Sequence, residues 1–525
     1  MIDRLWLSAR APAILMAISL IYIGALGVAS TNFGQHWDEA SVTGSVQKSF
    51  ETGLMLPRWY NYPSVPYDVG ILTALPHLAL DVAHSFDLNA SGLGSAGLVS
   101  YLGDTGFKLR LRAVFFLLST LSGLAVYLLV RRLSGSGWIA LFAALTLVAS
   151  WEFIYHARWI APDCLVLLFA SFSLWAQHRL MDPQETDRRY FWAAVASLFA
   201  GLCMGSKYPG GVVLVPLLLA VALAPRGKDP KRFAVLRQAA ACLLIAAFTF
   251  VLVTPGSVLE PMRFLQGVLG EMEHYAESHG GYTVTPGWQH FSRLATYLGL
   301  VFLSRNVVLA AAATALALAG VVFLFKTQAR TAVWLLSLPI VYVAYMSMQR
   351  VMIVRNYLIL MPFFAVFAAL GVAALARAAR GRPILRYSVF GAALALVAFN
   401  LCVATLTSLS IVSPNTTSKS AALEKRLASA PRTKFFLSSA CQALLGGDPA
   451  HRSANVAGSM ASADRFIFDS SEVTDWQQLA ANQRGRYRTI WARMQEVNWD
   501  YYPSWAGNPR VLEVSARALK IREDP

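Results

Sequence analysis

Eleven apolar runs of about bilayer-crossing length recur along this chain of 525 residues, near 11–30, 111–130, 137–155, 162–178, 191–206, 210–224, 235–253, 306–325, 331–348, 356–376 and 385–412. A helix rises about 1.5 Å per residue, so about 20 apolar residues cross the hydrocarbon core. Backbone in lipid must satisfy its own hydrogen bonds, which makes helices the form open to such runs. The 191–206 and 210–224 runs are short for this purpose. Hydrophobic residues make up 56% of the chain and charged residues only 14%, where a soluble domain carries about a quarter charged. The expected fold is therefore a polytopic α-helical membrane protein, and a soluble globular enzyme is excluded.

The formal net charge of +16 does not point to nucleic acid, because the basic residues sit in short loops between apolar runs and form no polybasic tail. There they set orientation. One set of loops holds Arg131 and Arg132, Arg179 with Arg188 and Arg189, Arg226 to Arg237, Lys326 with Arg330, and Arg377 to Arg386. These loops and the N-terminus are expected to be cytoplasmic. Loops 31–110, 156–161, 207–209, 254–305 and 349–355 then face outside, as does the region after 412. Residues 11–30 follow Arg4 and Arg10 but lack an Ala-x-Ala site, so they read as a retained signal-anchor helix. The five cysteines are scattered without metal spacing and read as packing residues.

Two domains are expected, 1–412 in the membrane and 413–525 outside it. The first outer loop, 31–110, is too long for a connector. Asp38 opens a helix over 38–53, with Val42, Val46 and Phe50 at fourfold spacing and Gly53 as its C-terminal stop. Residues 66–84, interrupted by Pro76, read as a second helix, and both are expected to lie in the interface. Residues 89–106 are Gly/Ser-rich and read as a loop. Beyond 412, strands are expected at 434–438, 465–469, 487–492 and 510–515, with helices at 418–430 and 475–484, giving a small α/β domain. Its tail is aromatic (Trp499, Tyr501, Tyr502, Trp505), and Asn415-Thr416-Thr417 matches a glycosylation acceptor.

Chemistry-bearing residues gather on the outer side. Asp38 and Glu39 stand at the mouth of the first span, either as helix-terminal acids favoured by the dipole or as a general base over a lipid-borne substrate. His156-Ala157-Arg158 precedes Pro162-Asp163, where Asp163 suits the first turn of a helix. Lys207, in Ser206-Lys207-Tyr208-Pro209, is isolated in apolar surroundings and either snorkels or serves function. Arg355-Asn356-Tyr357 opens the tenth run, and a guanidinium there suits a phosphate. Residues 271–279 hold Glu271, Glu273, Glu277, His274 and His279. These donors suit a divalent metal, but no spacing matches H-E-x-x-H. A hydrogen-bonding loop that closes over a polar substrate is the other reading. No metal or other cofactor is expected as a requirement.

These motifs, in order, resemble the GT-C membrane glycosyltransferases, specifically glycosyltransferase family 39, with the protein O-mannosyltransferases and the lipid A aminoarabinose transferases. The matching residues are Asp38-Glu39, Glu51-Thr52-Gly53, Tyr60-Asn61-Tyr62-Pro63 with Pro66, His156-x-Arg158 with Pro162-Asp163, Ser206-Lys207-Tyr208-Pro209, and Arg355-Asn356-Tyr357 with Pro362. The resemblance covers roughly residues 10–375. It implies inverting transfer of a sugar from a polyprenyl-phosphate donor to a hydroxyl of a lipid, glycan or protein at the periplasmic face of a bacterial inner membrane. By the same resemblance, Asp38 is the base and Glu39 its helper. Lys207, Arg158, Arg355 and Arg58 bind the donor phosphate. Asp163, His156, Tyr62 and Tyr208 bind sugar or acceptor, and His274 and His279, in the loop that would close over a polar substrate, are further sugar- or acceptor-binding candidates read from the residues themselves. One departure stands out: aminoarabinose transferases carry Lys-Pro-Pro in the first outer loop, and Tyr62-Pro63-Ser64 stands here instead. Arg58 or Lys207 is expected to replace that lysine. The alternative reading is a flippase or transporter for lipid-linked sugars, which would need charges near mid-bilayer.

Overall fold

The computed structural model describes residues 10–33, 36, 38–84, 96–225, 232–279, 282–412, 419–445, 455–459, 462–469, 487–492 and 510–515. Its helices run in the order α1 Ala11–Ala29, α2 Glu39–Thr52, α3 Val65–His84, α4 Ala96–Gly103, α5 Thr105–Ser134, α6 Gly137–Val148, α7 Trp151–Ala157, α8 Pro162–Met181, α9 Arg189–Ser206, α10 Leu214–Leu223, α11 Arg232–Val253, α12 Gly256–Leu259, α13 Pro261–Ala276, α14 Trp288–Leu300, α15 Val307–Thr327, α16 Ala329–Ser347, α17 Met361–Ala378, α18 Pro383–Val412, α19 Lys419–Ala428 and α20 Ser439–Leu444. Short 3-10 segments at Tyr208–Val213 and Val354–Leu360 lead into α10 and α17.

Among the described residues, eight helices are long and apolar enough to cross a membrane, or nine if α6 and α7, bent by 55° at their junction, form one broken span. The bend falls where Ser150 leaves the helix and its hydroxyl caps Phe153 N–H of α7. The short runs at 191–206 and 210–224 form α9, of 18 residues, and a 3-10 turn followed by the 10-residue α10. Outward-facing Ile21, Leu244, Leu318 and Leu394 are exposed. Such a surface is a liability in water and is matched by lipid.

The first long loop packs as expected in one part and departs in another. Asp38 takes the N-cap position of α2, and Gly53 ends it in the left-handed region, φ 71°, where only glycine avoids a steric penalty. Val42, Val46 and Phe50 are buried together with Val65 and Tyr67 of α3 and with Phe107, Leu111 and Phe115 of α5. Residues 96–103, expected as loop, form α4. Leu98 and Leu102, one turn apart, insert into that same cluster, and burial overrides the Gly/Ser-rich composition. Residue 76 stays inside a continuous α3 rather than interrupting it.

The chain divides into two units, Met1–Glu277 with Val284–Thr405, and Ser278–Thr283 with Leu406–Pro525. The second contains a four-stranded sheet of order β1-β2-β4-β3, formed by Phe435–Leu437, Arg465–Asp469, Tyr487–Ala492 and Arg510–Ser515. β1 and β2 are parallel and the other pairs antiparallel. All four expected strands are present. Leu423 and Leu427 of α19 pack on Phe435, Leu437 and Ile467, and Glu513 takes a two-pronged bond from Arg426 at 2.6 and 2.8 Å. The expected helix at 475–484, the aromatic tail and the Asn415 acceptor lie outside the described residues.

Candidate active site

Asp38 occupies a helix N-cap, yet its side chain makes no capping hydrogen bond. Its carboxylate pairs instead with Arg355 Nη1, and the acid side chain remains 21% exposed. Asp163 stands in the first turn of α8, after Pro162, and is likewise turned to a partner, accepting from Lys207 Nζ at 2.9 Å. Arg355 Nε lies 3.5 Å from the other Asp163 oxygen. Charges of alternating sign therefore run Lys207, Asp163, Arg355, Asp38, drawn from four separate segments. Arg355 Nε, Asp163 Oδ2 and Asp38 Oδ2 are buried atoms that pair by charge but find no hydrogen-bond partner among the described residues.

Local structure explains how each group arrives there. Backbone at Lys207 turns extended after α9, φ −159° and ψ 137°, and Pro209 follows, so the lysine projects from a chain break. It is 4% exposed and does not snorkel. A second bond goes to Asn356 Oδ1 at 2.7 Å. Burial disfavours its charge, but Asp163, then Tyr275 and Tyr62, outweigh that and hold the ammonium above its ordinary pKa. Arg355 and Asn356 sit in the 3-10 segment that precedes α17. Asn356 Nδ2 donates to Tyr275 OH at 2.8 Å, and Tyr342 OH donates to the Asn356 carbonyl at 2.8 Å. Arg355 Nη2 reaches Tyr62 OH at 3.4 Å, and Lys207 Nζ lies 5.5 Å from the Tyr62 ring centre. Lys207 is thus at the segment that departs from Lys-Pro-Pro.

Other candidates occupy a surrounding shell. Glu39 is buried, takes Arg112 Nε at 2.7 Å and a second bond from Arg112 Nη2, and accepts Ile160 N–H at 3.2 Å. Arg112 Nη1 also donates to the Thr31 carbonyl at 2.7 Å. This pair ties the start of α2 to α5 and to the turn before Asp163. Arg112→Met is expected to destabilise the fold by about 3–5 kcal/mol, because it strands a buried carboxylate. Thermal unfolding in detergent checks this, and adding Glu39→Gln should recover most of the loss.

Arg158 is buried and donates from Nε to Ser30 Oγ at 3.1 Å. His156 Nε2 lies 3.1 Å from Glu152 one turn earlier, and Glu152 also accepts from Tyr297 OH. His36 stacks on Trp159 at 3.7 Å, and Arg355 lies 5.3 Å from the Trp159 ring centre. Arg58 pairs with Glu260 at 3.3 Å. Tyr208 OH donates to the Tyr60 carbonyl at 2.6 Å. His274 packs edge-on to Tyr275 at 5.5 Å, and His279 belongs to the second unit, stacked on Tyr282. The structure thus joins Asp38, Asp163, Lys207, Arg355 and Tyr62 directly. Sequence reasoning left out Asn356, Tyr275, Tyr342, Arg112 and Trp159 as site residues, although Asn356 stood inside a quoted motif.

His36 and His290, both outside the membrane-spanning segments, have lowered pKa values. Burial, then Arg355, His156 and Arg112, push His36 well below its ordinary pKa, and burial also lowers His290. His290 lies between the Gln349 carbonyl and Tyr357 OH, each at 2.8 Å. A histidine with a lowered folded pKa binds fewer protons folded than unfolded, so its stability contribution is present at neutral pH. That contribution falls as pH drops below about 6.5. Thermal unfolding midpoints are expected to decline on acidification from pH 7, with a shallower decline in His290→Gln.

Residues 96–255 match the family described as dolichyl-phosphate-mannose-protein mannosyltransferase. The crystal structure of ArnT from Cupriavidus metallidurans bound to undecaprenyl phosphate superposes with TM-score 0.53 at 13% identity, covering 96% of this chain and 98% of that one. The apo form of the same protein gives TM-score 0.52 at 12% identity, covering 98% and 100%. An uncharacterised protein of Aquifex aeolicus (strain VF5) is 35% identical over 116 residues, 21% of this chain. That alignment spans 23% of the relative's length. The chain has the GT-C fold, the architecture of a class of membrane glycosyltransferases. The fold that the resemblance implied is borne out.

Proposed function

We propose that this protein is a membrane glycosyltransferase that moves a sugar from a polyprenyl-phosphate donor to a hydroxyl acceptor, with inversion at the anomeric carbon. The observation that carries this reading is the alternating charge chain, in which two buried cations stand beside a partly exposed carboxylate. The bond balance is that of one displacement. The acceptor oxygen bonds to the anomeric carbon, the bond from that carbon to phosphate oxygen breaks, and the hydroxyl proton passes to Asp38. The departing lipid phosphate gains one negative charge. Lys207 and Arg355 supply the compensating field, which acts most strongly where water is excluded. Asp163 holds both cations in register before donor arrives. Glu39, locked by Arg112, positions Asp38 rather than taking the proton itself.

Undecaprenyl phosphate bound to ArnT supports the donor class. The bias of basic residues supports a site at the periplasmic face, with the N-terminus cytoplasmic and the C-terminal unit periplasmic. A lipid, glycan or protein hydroxyl suits the acceptor side equally. The test is product stereochemistry: purified protein is given a polyprenyl-phosphate sugar of known anomeric configuration, and the product is read by NMR. Inversion is expected, and retention would contradict a single displacement with Asp38 as base.

A further inference from the structure

Helix α14 is open on one side, where Trp288 is 77% exposed and Phe291 stands beside it. His290, Leu294, Tyr297 and Leu298 recur at helical spacing and form its buried side. His290 is fully buried, at a position that a leucine would fill without the cost of burying a polar ring. Its bonds go to the two ends of one short stretch, the Gln349 carbonyl and Tyr357 OH, each at 2.8 Å. Arg355 and Asn356 lie between those ends. We infer that His290 is a positioning residue of the transferase site, clamping residues 349–357 so that Arg355 and Asn356 meet Asp38, Asp163 and Lys207. This rests on the transferase reading and adds to it a residue that acts through Arg355 and Asn356 rather than on substrate.

The chemistry of the two partners fixes how the ring works. A carbonyl oxygen can only accept, so Nδ1 carries the proton and donates to Gln349. In the neutral ring Nε2 then accepts, and the Tyr357 hydroxyl donates to it. Burial, the largest influence on His290, favours that neutral form.

Backbone bonds secure the near end of the stretch. Gly287, at φ 84°, turns its N–H to the Ser347 carbonyl at 2.7 Å, a left-handed value that glycine adopts at no steric cost. Val284 N–H reaches the Arg350 carbonyl at 2.7 Å, and Arg350 N–H donates to the Tyr275 carbonyl at 3.1 Å. At the far end, Tyr342 OH holds the Asn356 carbonyl, and His290 ties the neighbouring Tyr357 back to the secured end. One rigid ring thus sets the span of the stretch. The side chains it carries are those of the charge chain: Arg355 pairs with Asp38 and Asp163, and Asn356 Oδ1 accepts from Lys207 at 2.7 Å.

The test uses full-length protein in detergent and three variants. His290→Asn keeps a donor at the Nδ1 position and loses the acceptor for Tyr357. His290→Gln keeps an acceptor at the Nε2 position, and Tyr357→Phe removes only the hydroxyl. Amide hydrogen exchange in residues 354–360 is expected to rise about tenfold in His290→Asn and Tyr357→Phe, the scale of one buried hydrogen bond, and to stay near wild type in His290→Gln. Unchanged exchange there in both of the first two would overturn the clamp. Transfer from a polyprenyl-phosphate sugar is expected to lose about tenfold or more in kcat/KM in the same two variants, at a temperature where all remain folded. Raised exchange with wild-type transfer would overturn His290 as a positioning residue. A cycle with Arg355→Lys separates positioning from general support. His290→Asn is expected to add less than about twofold to the loss that Arg355→Lys already causes, and losses that multiply would make the histidine merely structural. Raised exchange beside a wild type that transfers no sugar from any donor would leave the clamp standing and count against the transferase reading.

Discussion

Asp38→Asn is expected to lower sugar transfer by about 10²–10⁴-fold, the usual range for losing a general base, while the protein stays folded. Asparagine is as good an N-cap as aspartate, so α2 keeps its start, and Glu39 keeps Arg112. Arg355 retains Asp163. The change therefore removes a proton acceptor together with one of the two carboxylates that pair with Arg355. The Asp38 carboxylate is not spent on capping and is partly exposed, as a base that meets an acceptor hydroxyl must be. Steady-state transfer with a labelled donor reads the effect, beside an unfolding curve. Wild-type rates in Asp38→Asn would remove it as the base.

Lys207→Met has the second large expected effect, and it is twofold. Asp163 loses its short bond to the ammonium inside a buried site, at a cost of about 3–5 kcal/mol in stability. The donor phosphate also loses a charge partner, so donor binding weakens. The double variant Lys207→Met/Asp163→Asn separates these. Removing both charges is expected to restore most of the stability, because no buried acid is left stranded, while donor binding stays weak. Recovery of donor affinity to the wild-type level in the double variant would exclude Lys207 from the phosphate site. Calorimetric titration with polyprenyl phosphate supplies the affinity.

Much of the fold was legible because lipid imposes a strong pattern. Membrane-length runs locate the helices, and Val42, Val46, Phe50 and Gly53 give α2 nearly to the residue. Helix α4 was not legible: its Gly/Ser-rich surroundings read as loop, and only the burial of Leu98 and Leu102 in a cluster drawn from other helices makes it form. Composition carries no record of that packing.

The site divides in a similar way. Asp38, Asp163, Lys207 and Arg355 were legible because a charge at the end of an apolar run is costly and must have a reason. Their pairing was not, since Lys207 and Asp163 lie 44 residues apart and Arg355 and Tyr62 lie 293 apart. Glu39 looked like a second catalytic acid by adjacency. Its bonds to Arg112 and Ile160 N–H suit a positioning group instead. Arg112 itself gave no signal, since nothing around it in the sequence marks it as the partner of Glu39, 73 residues away.

The most direct measurement of the central claim is transfer of label from radiolabelled polyprenyl-phosphate sugars by the purified protein, with a membrane extract as acceptor source. The account predicts label leaving the lipid with at least one sugar, slowly if water accepts it and faster with extract, and loss of that signal in Asp38→Asn. Tight binding of polyprenyl phosphate without release of label from any sugar, in the presence of extract, would contradict it.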